Sequence, residues 1–186
     1  MSKVVVISGH PNLNESMANS KIIQILSSLN NTHVRCLDDL YPDYKIDIQA
    51  EQAALIDADL IIFQFPLYWS TYPAIMKKWF DDVFTYNFAF GPEGDKLKNK
   101  KVILSITAGA TAESYSEGDF NFMPLDDYLE SALHPLKAAQ VDLVDSIVTF
   151  NMNSDVNEGG NVDTVNRLVV EHADRVKAAI THTVNR

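Results

Sequence analysis

The chain has a single cysteine, Cys36, among its 186 residues. No disulfide can form within it, and no thiolate metal cluster can be assembled from it. That usage suits a reducing compartment such as a cytoplasm. Basic residues are also scarce. Fifteen Lys and Arg stand against 25 Asp and Glu, a formal net charge of −10. Such a surface repels phosphate backbones, which disfavours nucleic acid as a partner. No apolar run reaches the length of a membrane span. The opening run from Val4 to Ile7 is short and ends in Ser8-Gly9-His10-Pro11, which is turn chemistry and not a signal peptide. Neither GxGxxG nor GxxxxGK[ST] occurs, so both common nucleotide fingerprints are missing. His33, His134, His172 and His182 lack ligand spacing, which points to structural or surface roles and to no metal site.

What is present is the composition of a folded protein. Hydrophobic residues make up 46% of the chain, enough for a sizeable core in one domain over residues 1–186. Strand and helix patterns alternate from end to end, with no repeat and no linker. Residues 3–8 read as a strand that is apolar without alternation, as a strand buried on both faces must be. Further strands are expected at 33–38, 59–65, 101–106 and 141–150. Helical patterns cover 16–29, 48–56, 73–84, 125–139 and 162–184. In the first, Ile22, Ile25, Leu26 and Leu29 share one face. Pro73 suits a first helical turn. Pro135 predicts a kink or an early end.

The outcome is βαβαβαβαβα, a five-stranded parallel sheet with helices on both faces. Strand order 2-1-3-4-5 is preferred over the six-stranded dinucleotide-binding order, because only five good strands are present. In such sheets ligands bind beyond the carboxyl ends of the strands, near the switch point. Three loops therefore matter. The first, Ser8 to Asn19, offers His10, and then Ser16 at a helix start where the N–H groups of Met17, Ala18 and Asn19 suit a phosphate; Ser16 reads equally as a plain N-cap. The second, Phe65 to Pro73, gathers Leu67, Tyr68, Trp69 and Ser70 either as a ledge for a flat ring or as an aromatic core plug. The third, Thr107-Ala108-Gly109-Ala110-Thr111, lets backbone approach a ligand closely, or is an ordinary turn.

Several segments carry a resemblance. They are His10-Pro11 with Ser16 to Asn19, Leu40-Tyr41-Pro42-Asp43, Ile46-Asp47-Ile48 with Ala50-Glu51-Gln52, Phe65-Pro66-Leu67-Tyr68-Trp69, Pro73-Ala74, Lys77-Lys78-Trp79-Phe80-Asp81, Val83-Phe84 and Thr107 to Ala110. The chain resembles the flavodoxin-fold NAD(P)H:quinone oxidoreductases. It is most similar to a short bacterial branch that includes the ancillary quinone reductases of glutathione-gated potassium-efflux systems. The likeness is collinear over about the first two-thirds of the chain.

The resemblance implies a cytoplasmic homodimer that binds FMN, with FAD also compatible, and uses NAD(P)H as co-substrate. The FMN phosphate would sit on His10 and Ser16 to Asn19. Leu67, Tyr68, Trp69 and Ser70 would meet the isoalloxazine through backbone, and Thr107, Ala108, Gly109 and Ala110 would complete the pocket. Hydride would pass to flavin N5, and two electrons would then pass to a quinone or similar flat acceptor. Tyr115 matches by spacing a Tyr that handles charge on the reduced flavin in mammalian-type members. Two departures stand out: Thr-Ala-Gly-Ala replaces the family's Thr-Thr-Gly-Gly, and no His follows Tyr115. Two other classes remain open, a regulatory FMN-binding subunit of a potassium-efflux transporter and a flavodoxin-like electron carrier.

Overall fold

The computed structural model describes residues 2–184. Five parallel strands form one sheet in the order β2-β1-β3-β4-β5, as expected. They are β1 (Val4–Ser8), β2 (Thr32–Cys36), β3 (Leu60–Pro66), β4 (Lys101–Thr107) and β5 (Asp142–Thr149). Six helices accompany them: α1 (Met17–Ser27), α2 (Leu37–Leu40), α3 (Ile48–Asp57), α4 (Ala74–Val83), α5 (Leu125–Ala138) and α6 (Val162–Val184).

Alternation along the strands divides the core into two layers. Val4 and Val6 of β1, with Leu60 and Ile62 of β3 and Ile103 of β4, pack under α1 and α6. Val5 and Ile7, with Ile61, Phe63 and Phe65, pack under α4 and α5. Every residue of β1 and β3 is buried, which is why both read as unbroken apolar runs. At the edge, β5 is exposed over its first five residues.

Helix starts follow capping chemistry. The Ser16 hydroxyl accepts from the Asn19 N–H at 3.0 Å, and Asp47 accepts from Ala50 N–H at 3.0 Å, so each satisfies a donor that the first turn leaves free. Pro73 stands just outside α4 as its N-cap residue, one position earlier than its sequence pattern placed it.

Two sequence expectations are corrected. The second strand stops at Cys36, because Leu37 turns inward, fully buried, and opens the one-turn helix α2. Four residues are too few to show a helical period. The early end expected of Pro135 does not occur, since α5 continues to Ala138. Leu136, 2% exposed, anchors that last turn in the core, while Ser131, whose carbonyl loses its helical partner to the proline, is exposed. Strand-length apolar patterns also gave no sign of the short 3-10 turns Leu13–Glu15 and Val156–Glu158.

Candidate active site

The carboxyl ends of β1, β3, β4 and β5 surround one cleft of about 1200 Å³. That exceeds the usual range for a single small-ligand pocket, about 300–1,000 Å³. The three loops singled out by strand order all reach it. From the first come His10, Ser16, Met17, Ala18 and Asn19; from the second, Leu67 and Tyr68; from the third, Thr107, Gly109 and Ala110.

The first loop makes a seat rich in donors. Ser16 Oγ is spent on the Asn19 N–H, so the amides left without a partner among the described residues at the start of α1 are those of Met17 and Ala18. Asn19 is therefore not a backbone donor to a ligand. Its side chain is tied down instead, with Nδ2 donating to Thr107 Oγ1 at 3.2 Å and Oδ1 accepting from Gln64 Nε2 at 2.9 Å. His10 is 9% exposed, and its Nδ1 accepts from the Asn12 N–H at 3.1 Å. The neutral ring consequently carries its proton on Nε2. Burial lowers the His10 pKa below the ordinary 6.5, against the opposing pull of Asp38. The ring is thus a neutral donor beside the positive end of a helix, an arrangement that suits an oxyanion.

The second loop is a tight turn. Tyr68 and Thr71 exchange backbone bonds of 2.8 and 3.2 Å, and Leu67 N–H donates to Thr107 O at 2.7 Å. Leu67 and Tyr68 therefore have no free amide for a ring. The amides of Trp69 and Ser70, at the tip, are without a partner among the described residues. Trp69 has φ +55, a strained position for a bulky residue, and is 91% exposed. Neither Trp69 nor Ser70 lines the cleft as it stands.

The third loop supplies a small-residue wall. Gly109 is outside the left-handed region, and a Cβ there would meet only Asn153 Cβ, at 3.8 Å. Nothing in the protein itself calls for glycine at 109, so the space belongs to the cleft. Ala108 is 1% exposed; its N–H donates to Thr149 O and its O accepts from Met152 N–H, both at 2.9 Å. It braces the wall from behind and does not line it. Tyr115 also lies outside the cleft, packed against Tyr128 and Phe150 at ring separations of 6.1 and 5.6 Å. From the same loop Phe120 lines the cleft instead.

A fourth wall escaped the sequence reading. Residues 151–155 and 158–161, after β5, line the cleft together with Thr164, Arg167 and Leu168 of α6. Asn151 N–H donates to Ala110 O at 3.0 Å, which laces this wall to the third loop. The signal was available: an Asn- and Gly-rich stretch follows a fifth parallel strand, and the rule that ligands sit at carboxyl ends applies there too. Glu15, Asp155 and Glu158 add negative charge to the cleft and Arg167 positive charge. A bound anion must therefore be held mainly by amides and hydroxyls. Among the described residues no cluster of His, Cys, Asp or Glu suits a metal ion, and no helix is long and apolar enough to cross a membrane.

Comparison with known proteins agrees with this geometry. Residues 2–169 match a family described as having a flavodoxin-like fold. General stress protein 14 of Bacillus subtilis is 40% identical over 128 residues, which span 69% of this chain and 73% of that protein. An uncharacterized NAD(P)H oxidoreductase of the same organism is 40% identical over 62% of this chain and 67% of its own length. An ancillary protein of the glutathione-regulated potassium-efflux system from an Enterobacter is 38% identical over 62% of this chain and 65% of its own length. Among solved structures, general stress protein 14 from Treponema denticola, in complex with FMN, superposes with a TM-score of 0.83 at 26% identity, covering 95% of this chain and 99% of that one. The chain is a member of the flavodoxin-like fold family, on the side of it that holds NAD(P)H oxidoreductases.

Proposed function

We propose that this protein is an FMN-dependent NAD(P)H:quinone oxidoreductase. The observation that carries the reading is the convergence, at the switch point of the sheet, of a phosphate-type seat and a wall where Gly109 leaves room that no protein atom needs. The FMN complex of a structural neighbour supports the cofactor, and the name of an NAD(P)H oxidoreductase among the relatives supports the donor.

The residues present fit FMN. Met17 and Ala18 amides, the Ser16 hydroxyl and His10 Nε2–H would hold the phosphate. The Trp69 and Ser70 amides, free of partners among the described residues, would meet the ring edge only once the turn settled onto the cofactor. Bound FMN supplies hydride acceptance at N5 and release of two electrons to a quinone. The chain's own contribution is to hold partners in line and to keep water from the reacting face. A cleft larger than one ligand needs leaves space for nicotinamide and acceptor to occupy the same face in turn, as a ping-pong sequence requires. Tyr115 would touch substrate only after the loop after β4 rearranges, so Phe120 is the nearer wall. The exposed rings of Trp69, Phe120 and Phe122, 91%, 74% and 73% accessible, are suited to contact with a second copy, which supports a homodimer.

A second reading follows from the potassium-efflux ancillary relative: FMN-loaded protein that docks on a membrane transporter and regulates it. One experiment separates the two. Purified, FMN-reconstituted protein is titrated anaerobically with NADPH and with NADH, and then with a quinone. Bleaching of the flavin band and its two-electron recovery are expected. Bound flavin that neither nucleotide bleaches would sink the reductase and leave the regulatory subunit or an electron carrier.

A further inference from the structure

A chain of buried polar groups runs beneath the cleft, through the layer between the sheet and helices α1 and α6. Gln64 and Ser105 lie opposite each other in register on β3 and β4, and both are fully buried, as is His172 of α6. Ser105 Oγ donates to Gln64 Oε1. It also meets His172 Nε2 at 2.7 Å. On the far side, His172 Nδ1 meets Thr149 Oγ1 at 2.8 Å, and Arg175 Nη1 donates to Thr149 Oγ1 at 3.3 Å. On the near side, Gln64 Nε2 donates to Asn19 Oδ1, and Asn19 Nδ2 to Thr107 Oγ1.

The partners fix the direction of every bond. The Gln64 Oε1 carbonyl only accepts, so Ser105 spends its one proton on it. Ser105 therefore accepts from His172, which must be the Nε2–H tautomer. The bare His172 Nδ1 then accepts the Thr149 proton, and Thr149 also accepts from Arg175 Nη1, whose shorter bond goes to Val148 O at 2.9 Å. Gln64 donates to Asn19, and Asn19 donates to Thr107. Thr107 ends the chain with an unspent proton. Its alternative, donation back to Asn19 Oδ1, spans 3.4 Å, long for a hydroxyl bond. Thr107, 2% exposed, is itself one of the residues that line the cleft. The scheme requires an uncharged imidazole, and burial beside Arg175 brings the His172 pKa down to about 4.

We propose that Thr107 is held as a hydrogen-bond donor into the cleft, aimed at an acceptor atom of the bound flavin, by this one-way relay from Arg175 through Thr149, His172, Ser105, Gln64 and Asn19. The proposal rests on the FMN reading of the cleft. His172, about one turn of α6 beyond Leu168 of the cleft wall, does not line the cleft and is then a positioning residue for the cofactor. Bonds aligned head to tail polarise one another, so its loss is felt at Thr107. The reversed relay would make Thr107 an acceptor, matched to a different edge of the ligand.

The first test needs no flavin. Long-range proton–nitrogen NMR of the histidine-labelled protein at neutral pH reads the tautomer of His172. The Nε2–H form is expected; an Nδ1–H form or an imidazolium overturns the relay. The second test measures FMN dissociation constants and midpoint potentials. Thr107→Val and His172→Phe are each expected to weaken FMN binding about tenfold, the scale of one polarised hydrogen bond, and to move the potential in the same direction. The double variant is expected to lose no more than either alone, since both remove one interaction. Thr107→Ser and His172→Gln, which keep a donor in place, are expected to restore it. Losses that multiply in the double variant overturn the coupling. If His172→Phe does not fold, the tautomer and the Thr107→Val against Thr107→Ser pair still decide. A correct tautomer in a protein that binds no FMN would refute the flavin reading and leave the direction of the relay standing.

Discussion

The indole Nε1 of Trp79 donates to Glu51 Oε2 at 2.9 Å, between two side chains with no exposure to solvent. The other carboxylate oxygen accepts from Arg35 Nε at 2.8 Å and from Tyr41. Four elements, β2, α3, α4 and the turn after α2, therefore share one buried charge. Glu51→Ala leaves the buried Trp79 indole N–H and the half-buried Arg35 guanidinium without their acceptor. The loss is expected to be about 3–5 kcal/mol, read as a lowered urea midpoint with the slope unchanged. A loss under about 1 kcal/mol would mean that water or a neighbour replaces the carboxylate.

Acid should weaken the fold through His172. Its pKa is 6.5 ordinarily and about 4 in the folded protein, so between these values the unfolded chain binds more protons. Stability then rises with pH across that window: it is complete above pH 6.5 and falls as pH drops towards 4. The total is on the order of 3 kcal/mol. Burial of His10 acts in the same direction. Urea titrations of native protein and His172→Gln at pH 7 and pH 4.5 are the check. The drop should be visibly smaller in the variant; equal drops would assign the acid loss to other groups.

Two glycines should behave oppositely. A Cβ at Gly9 would lie 2.7 to 2.9 Å from Cε, Cβ and Sδ of Met76, so Gly9→Ala must push α4 from the sheet, at about 1–3 kcal/mol. Gly109→Ala meets nothing closer than 3.8 Å and should leave thermal stability without flavin unchanged. It should weaken FMN binding, because the methyl group enters the cleft. Undiminished FMN affinity in Gly109→Ala would take the third loop out of the cofactor site.

Cys36 should be a poor nucleophile. Burial, with Asp38 and Asp39 nearby, pushes its thiol up to about 11, and only the thiolate reacts. Alkylation by iodoacetamide at pH 8 is expected to be far slower than for free cysteine and to speed up to the free rate in urea. Fast labelling of the native protein would show that β2 opens readily.

Much of this molecule is dictated locally and is therefore readable along the chain. β1 and β3 announce themselves as apolar runs, since both of their faces are covered. Ser16 announces a helix start because its hydroxyl needs only a neighbour three residues on. The three loops follow from strand order alone. Other features depend on groups that are distant in sequence. His172 looks like a stray histidine until the sheet sets it against Ser105, 67 residues away. Asn19 reads as an amide donor to a phosphate until Ser16 takes that amide and Thr107, 88 residues on, takes its side chain. Tyr115 matches a catalytic position by spacing, but packing against Tyr128 and Phe150 turns it from the cleft. Hydrophobic period and capping are properties of a few adjacent residues. Which polar groups meet in the buried layer is settled only when strands and helices close on one another, because each bond there draws on partners that the chain order keeps apart.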